Sequence, residues 1–295
     1  MLGNYLKIAL RNTRRNPVYA AINMTGLAVS MAVCLLLITF IWEQFQYDEF
    51  HEQKDRIVRV ITDEEDHSGP AVAAPAPLAP VLERTAAEVE ATVRLKRLVG
   101  HFVHDQQGIE VDGMFVDKSF FEIFSFELMR GNPATALENP LSIVLTRRTA
   151  RELFGSENPI GASVRVEDAF TADTTYTVTG VLTRPSGPTH LQFDALASFS
   201  TLASIPGERN EIENWRVMSY PTYVMLGKDA GLSAINDDLS RILDTHYTEA
   251  DRQEITLSAQ PLGAITSGPY YSSPVPMRTV PWFVIYFLGG LGAVL

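Results

Sequence analysis

Between Arg15 and Glu43 no residue of this 295-residue chain carries a charge. The most apolar part, Ile22 to Trp42, is 21 residues, about 31 Å as a helix at ~1.5 Å per residue. That length matches a hydrocarbon core of about 30 Å. Tyr19 and Trp42 stand at the two ends, where amphipathic rings favour the membrane–water interface. Asn23 and Thr25 lie near one end, where a polar side chain costs little. A cleaved leader would have a shorter apolar region followed by a small-residue site. Here the segment runs into Trp42-Glu43-Gln44-Phe45, so it reads as an uncleaved membrane anchor over residues 19–42.

The charges sort around this anchor. Residues 1–42 hold Lys7, Arg11, Arg14 and Arg15 and no acid, whereas residues 43–278 hold 20 basic and 35 acidic residues, a charge of -15. Basic residues favour the cytoplasmic side of a span, so the N-terminus is expected in the cytoplasm and the acidic part outside. Leu2, Tyr5, Leu6, Ile8, Ala9 and Leu10 alternate with those four cations. Residues 1–18 therefore read as a basic amphipathic segment suited to an anionic lipid surface. Gly26, Ser30 and Cys34 recur every four residues, a spacing that lets helices approach closely. They are candidates for packing against another helix.

The C-terminus repeats the theme. Thr279 to Leu295 is uncharged, and its 17 residues are barely long enough to span. A chain ending in mid-bilayer would leave its carboxylate in hydrocarbon at a cost of several kcal/mol or more. Residues 279–295 are thus expected to be the truncated start of a second span in a longer, multi-pass protein of the inner membrane.

The 236 residues from Glu43 to Arg278 can bury a core of their own, with room for two lobes. Strands are expected at 57–61, 93–95, 102–103, 109–112, 142–145, 163–166, 176–181, 220–226 and 255–257 from β-branched and alternating runs. One helix is expected to carry Leu78, Val81, Leu82 and Val89, and another, Gly231 to Tyr247, to present Leu232, Ile235, Leu239, Ile242 and Leu243 on one face. Thr146 is placed to cap a helix over 147–154 that Gly155 ends. Phe120, Phe121, Phe124 and Phe126 form a packing nucleus. Residues 187–214 are weakly patterned and are expected to form an inserted second lobe. Strands and helices without βαβ spacing give an α+β domain.

The opening Asn4-Tyr5-Leu6-Lys7-Ile8-Ala9-Leu10-Arg11-Asn12, Arg15-Asn16-Pro17, Tyr47-Asp48-Glu49-Phe50-His51, Phe120-Phe121-Glu122-Ile123-Phe124, Arg130-Gly131-Asn132-Pro133 and Asn158-Pro159-Ile160-Gly161 resemble, in order, FtsX/MacB-type ABC transporter permeases. The resemblance implies an N-terminal membrane helix, a MacB-like periplasmic core domain and three further helices. It also implies a cytoplasmic ABC ATPase partner, a second permease copy, and a periplasmic adaptor or substrate.

Little in the chain reads as catalysis. There is no Gly-x-x-x-x-Gly-Lys-Ser/Thr phosphate loop, so no cofactor is expected here and ATP would be hydrolysed by a separate subunit. His51-Glu52-Gln53-Lys54-Asp55 lacks the second histidine of a zinc-protease motif, and His101 and His104 fall on opposite faces of a strand. Neither catalytic nor metal-binding residues are expected. One cysteine excludes an intramolecular disulfide framework, and a net charge of -11 argues against a nucleic-acid binder, which would need a basic face. The reading is a permease that couples a partner's ATP hydrolysis to an extracytoplasmic domain, with an extracytoplasmic ligand sensor as the alternative.

Overall fold

The computed structural model describes residues 11, 14–64, 69–168, 173–205, 207–265, 268–269, 271–278, 284 and 286–287. Helix α1 (Pro17–Gln44) starts with proline in its first turn and ends where Phe45 N–H bonds Ile41 O. It is apolar all round, and Ile22, Leu27, Leu36 and Trp42 are all exposed. A helix with such a surface needs an apolar surround. It is also long and apolar enough to cross a membrane.

Past a turn at Lys54–Arg56, the chain forms β1 (Ile57–Glu64), β2 (Ala74–Pro75), α2 (Leu78–Thr85), β3 (Val89–His104), β4 (Gln107–Val116), α3 (Phe120–Ile123), β5 (Leu128–Arg130) and β6 (Ser142–Thr146). There follow α4 (Arg147–Phe154), β7 (Ser163–Asp168), β8 (Thr174–Leu182), β9 (Ala195–Ser198), α5 (Glu208–Ile212), β10 (Met218–Tyr220), β11 (Thr222–Leu226), α6 (Leu232–His246), α7 (Glu249–Glu254) and β12 (Ile255–Pro261).

The 16-residue β3 organises the domain. Its first part, residues 89–94, pairs with β11 in the order β12-β1-β11-β3, while residues 95–104 pair with β4. In the second half, β7 pairs with both β3 and β8, so β3, β4, β9, β6, β8 and β7 close on themselves. Closure leaves no free edge among these six strands. The ring includes two parallel pairs, β4 with β9 and β6 with β8, so the domain is α+β with a mixed sheet. Where β4 meets β9, a Cβ on Gly113 would lie 2.7 Å from Ala195 O, which explains a glycine in mid-strand.

Three apolar clusters fill this frame. One joins α2 and α6 to β1 and β11 through Leu78, Leu82, Val58, Val224, Ile235 and Leu239. A second fills the ring with Leu98, Phe102, Phe115, Tyr176 and Val178, and α4 adds Leu153 and Phe154. The third surrounds Phe120, Phe124 and Phe126. The phenylalanine nucleus is as expected: Phe120 stacks on Phe126 at 5.5 Å and Phe124 meets Tyr223 edge-on at 5.2 Å.

Three local expectations need correcting. Val89 is not on the helix; α2 ends at Thr85 and Val89 opens β3. Leu232 is exposed while the rest of the expected α6 face is buried, because it is the helix's first residue and overhangs the core. Residues 187–214 are no insert, since they supply β9, which lies between β4 and β6.

Candidate functional site

The end of α1 does not hang free from the domain. Gln44, Tyr47, Asp48 and His51 are all buried. Asp48 has a positive φ of 61°, a conformation that acidic and amide residues tolerate better than most. Its N–H donates to Pro188 O at 2.9 Å. Its carboxylate accepts from Thr189 Oγ1 (2.7 Å), His190 N (3.2 Å) and His190 Nδ1 (2.7 Å). His190 Nε2 lies 2.6 Å from the Tyr223 hydroxyl, which in turn reaches Met277 Sδ at 3.8 Å.

The approach to the second hydrophobic stretch meets the same segment. Arg278 N–H donates to His190 O at 2.8 Å, and Leu191 forms an antiparallel bridge with Met277. Residues 188–191 are therefore held between the two chain segments that lead to apolar sequence. Buried Arg59 adds a further tie, donating from Nε to Gln260 Oε1 (2.7 Å) and from a terminal nitrogen to Met277 Sδ (3.7 Å). Among the described residues Arg59 makes no ion pair. His51 anchors the other flank: its Nδ1 accepts from Ser125 N–H at 3.1 Å while its ring sits against Phe50, Phe124 and Phe126. An accepting Nδ1 leaves the proton on Nε2, 3.6 Å from Asp48 Oδ1.

The electrostatics follow from this packing. Burial would raise the Asp48 carboxyl, but the charge of His190 and the hydrogen bonds around it outweigh burial and hold it well below the usual carboxylate range. Burial pushes the Tyr223 hydroxyl far up, with Arg59 opposing, and burial pushes Arg59 down. Burial also raises Tyr47, against the charge of nearby Arg278. The arrangement clamps residues 188–191 between the end of α1 and residues 277–278.

The residues singled out from sequence fall elsewhere. Arg11, Arg14 and Arg15 are exposed ahead of α1, and Lys7 lies outside the described residues, as does most of the amphipathic segment. Gly26 is open, with nothing within 4 Å of where a Cβ would stand, while Ser30 and Cys34 are half-buried. Of residues 279–295 only Val284, Tyr286 and Phe287 are described; they are helical, and the rest of the expected second span lies outside the described residues. Sequence reasoning missed Arg59, His190 and Tyr223. A lone arginine inside Ile57-Val58-Arg59-Val60-Ile61 was a usable signal, whereas His190 had none.

The sequence model of the MacB-like periplasmic core domain matches residues 20–242. No curated protein matches the sequence. Among solved structures, a domain of a putative permease protein from Porphyromonas gingivalis is similar at 21% identity and TM-score 0.58, covering 72% of this chain and 92% of that one. The periplasmic region of MacB from Actinobacillus actinomycetemcomitans aligns at 13% identity and TM-score 0.52, covering 72% and 91%. The extracellular domain of the noncanonic ABC-type transporter YknZ from Gram-positive bacteria aligns at 12% identity and TM-score 0.51, covering 69% and 99%.

Proposed function

Because the chain belongs to the MacB-like periplasmic core domain family of ABC-type permeases, we propose that it is a transmembrane permease subunit that passes motion from membrane helices to its extracytoplasmic domain. A separate cytoplasmic ATPase supplies the work, and the protein is multi-pass in the cytoplasmic membrane with its basic N-terminus inside. A second permease copy completes the membrane assembly, and the cargo or adaptor acts outside.

One observation carries this reading. Both segments that lead to apolar sequence, 44–51 and 275–278, bond the same short segment around His190. A displacement of either helix is thereby delivered to one place in the domain, through a buried hydrogen-bond network that stiffens the connection. The segment continues directly into β9 in the closed ring, so the motion has a stiff element to act on.

The test is purification of the full-length protein from native membranes. It is expected to bring an ATPase with it, and ATP is expected to change a spin-label distance between Gln46 and a site on the ring such as Glu110. An ATPase-free preparation, or a distance indifferent to nucleotide while the ATPase turns over, overturns the coupling.

A further inference from the structure

On the other side of the clamped segment lies a cleft of about 550 Å³, within the size range of small-molecule sites. Phe126, Leu182, Leu191 and Phe193 give it apolar walls, and Thr189, bonded to Asp48 by its hydroxyl, stands at its margin. Arg147, Arg148, Arg151 and Arg184 surround it, with Glu152 the one carboxylate in the lining. Four guanidinium groups around one cleft are out of keeping with a domain whose net charge is -15.

Their partners make the contrast sharper. Arg148 pairs with Asp194 at 2.6 Å. Among the described residues Arg147, Arg151 and Arg184 make no ion pair. Arg147 and Arg151 are also one helical turn apart on α4, where like charges repel. Neither folding nor solubility calls for this cluster in an acidic domain, but an anion lying among the arginines would remove the repulsion and gain planar, two-pronged hydrogen bonds.

We propose that this cleft binds an anionic membrane lipid, one acyl chain against the phenylalanine and leucine walls and its phosphate among Arg147, Arg151 and Arg184. The apolar walls argue for a hydrocarbon chain, the unpaired arginines for the phosphate. Position argues for the membrane as source, because Thr189 bonds Asp48, four residues beyond the end of α1. The site goes beyond the permease reading and requires no ATPase.

The test uses the full-length protein in a neutral detergent, with binding read by native mass spectrometry. Lysophosphatidylglycerol is expected to bind at least tenfold tighter than lysophosphatidylcholine of the same chain length. R147A/R151A, and separately Arg184→Ala on a different segment, are expected to remove that preference while the melting temperature holds. Equal affinity for the two lysolipids overturns the proposal. So does retention of the preference in both variants. Glycerol phosphate competing as well as the lysolipid would mean a small-anion site with no role for the chain, and would overturn it too.

Discussion

Residues 188–193 present two faces that differ in how completely their polar groups are matched. Toward α1, Asp48, Thr189, His190 and Tyr223 saturate one another in the interior. Toward the cleft, three of four arginines make no ion pair among the described residues, and Glu152 is the one carboxylate in the lining. A saturated buried network resists rearrangement and suits transmission of force. Unmatched exposed charge costs the fold little and remains free to meet a ligand. The two faces therefore answer differently to mutation.

The largest effect is expected at Asp48. Asp48→Asn removes the charge beside His190 and puts an amide NH2 where a carboxylate oxygen accepts from buried donors, a class of change that costs about 3–5 kcal/mol. Chemical denaturation of the full-length protein in detergent measures it, and a loss below about 1 kcal/mol would show that the clamp is not held by this charge. The wild type has a matching acid arm. Because the folded carboxyl titrates below the ordinary aspartate value of about 3.9, its stabilisation is complete above that value and lost as pH falls below it. Stability attributable to Asp48 is expected to be flat near neutrality and to drop only below about pH 4. In Asp48→Asn this acid-dependent drop should shrink.

Tyr223→Phe comes next. It keeps the ring against Phe124 but deletes the hydroxyl 2.6 Å from His190 Nε2. An unpaired buried nitrogen costs about 1–3 kcal/mol, and the same denaturation experiment reads it. Combined with Asp48→Asn, the two losses should fall short of additive, since both act through His190. Strict additivity would mean that the two halves of the network are independent.

The difference between these faces also bears on what the sequence made legible. The long apolar helix, the phenylalanine nucleus and the Thr146 cap were readable because each depends on local pattern; the cap is present, with Thr146 Oγ1 accepting from Thr149 N–H at 3.3 Å. Strand β9 was not readable. Its residues Ala195–Ser198 are all buried, and a strand enclosed on both faces shows no alternation to detect. Val89 continued a helical spacing by coincidence, and only its pairing with Leu226 fixes it in a strand. The clamp is non-local: Asp48 and His190 are 142 residues apart, and nothing near either in sequence names the other. The arginines were in view, but their gathering around one cleft depends on α4 and the 182–185 segment meeting in space.

The smallest effect is expected on the cleft face, and its smallness is what the comparison requires. Arg151 is exposed, one turn from Arg147, and makes no ion pair among the described residues. Arg151→Gln keeps helix propensity and removes a like-charge neighbour. Stability should change by no more than about 0.5 kcal/mol, with a gain of a few tenths as the natural direction. Denaturation under the conditions used for Asp48→Asn gives the number. A loss above about 1 kcal/mol would mean that the arginines brace the fold, and the two faces would then be built on the same principle after all.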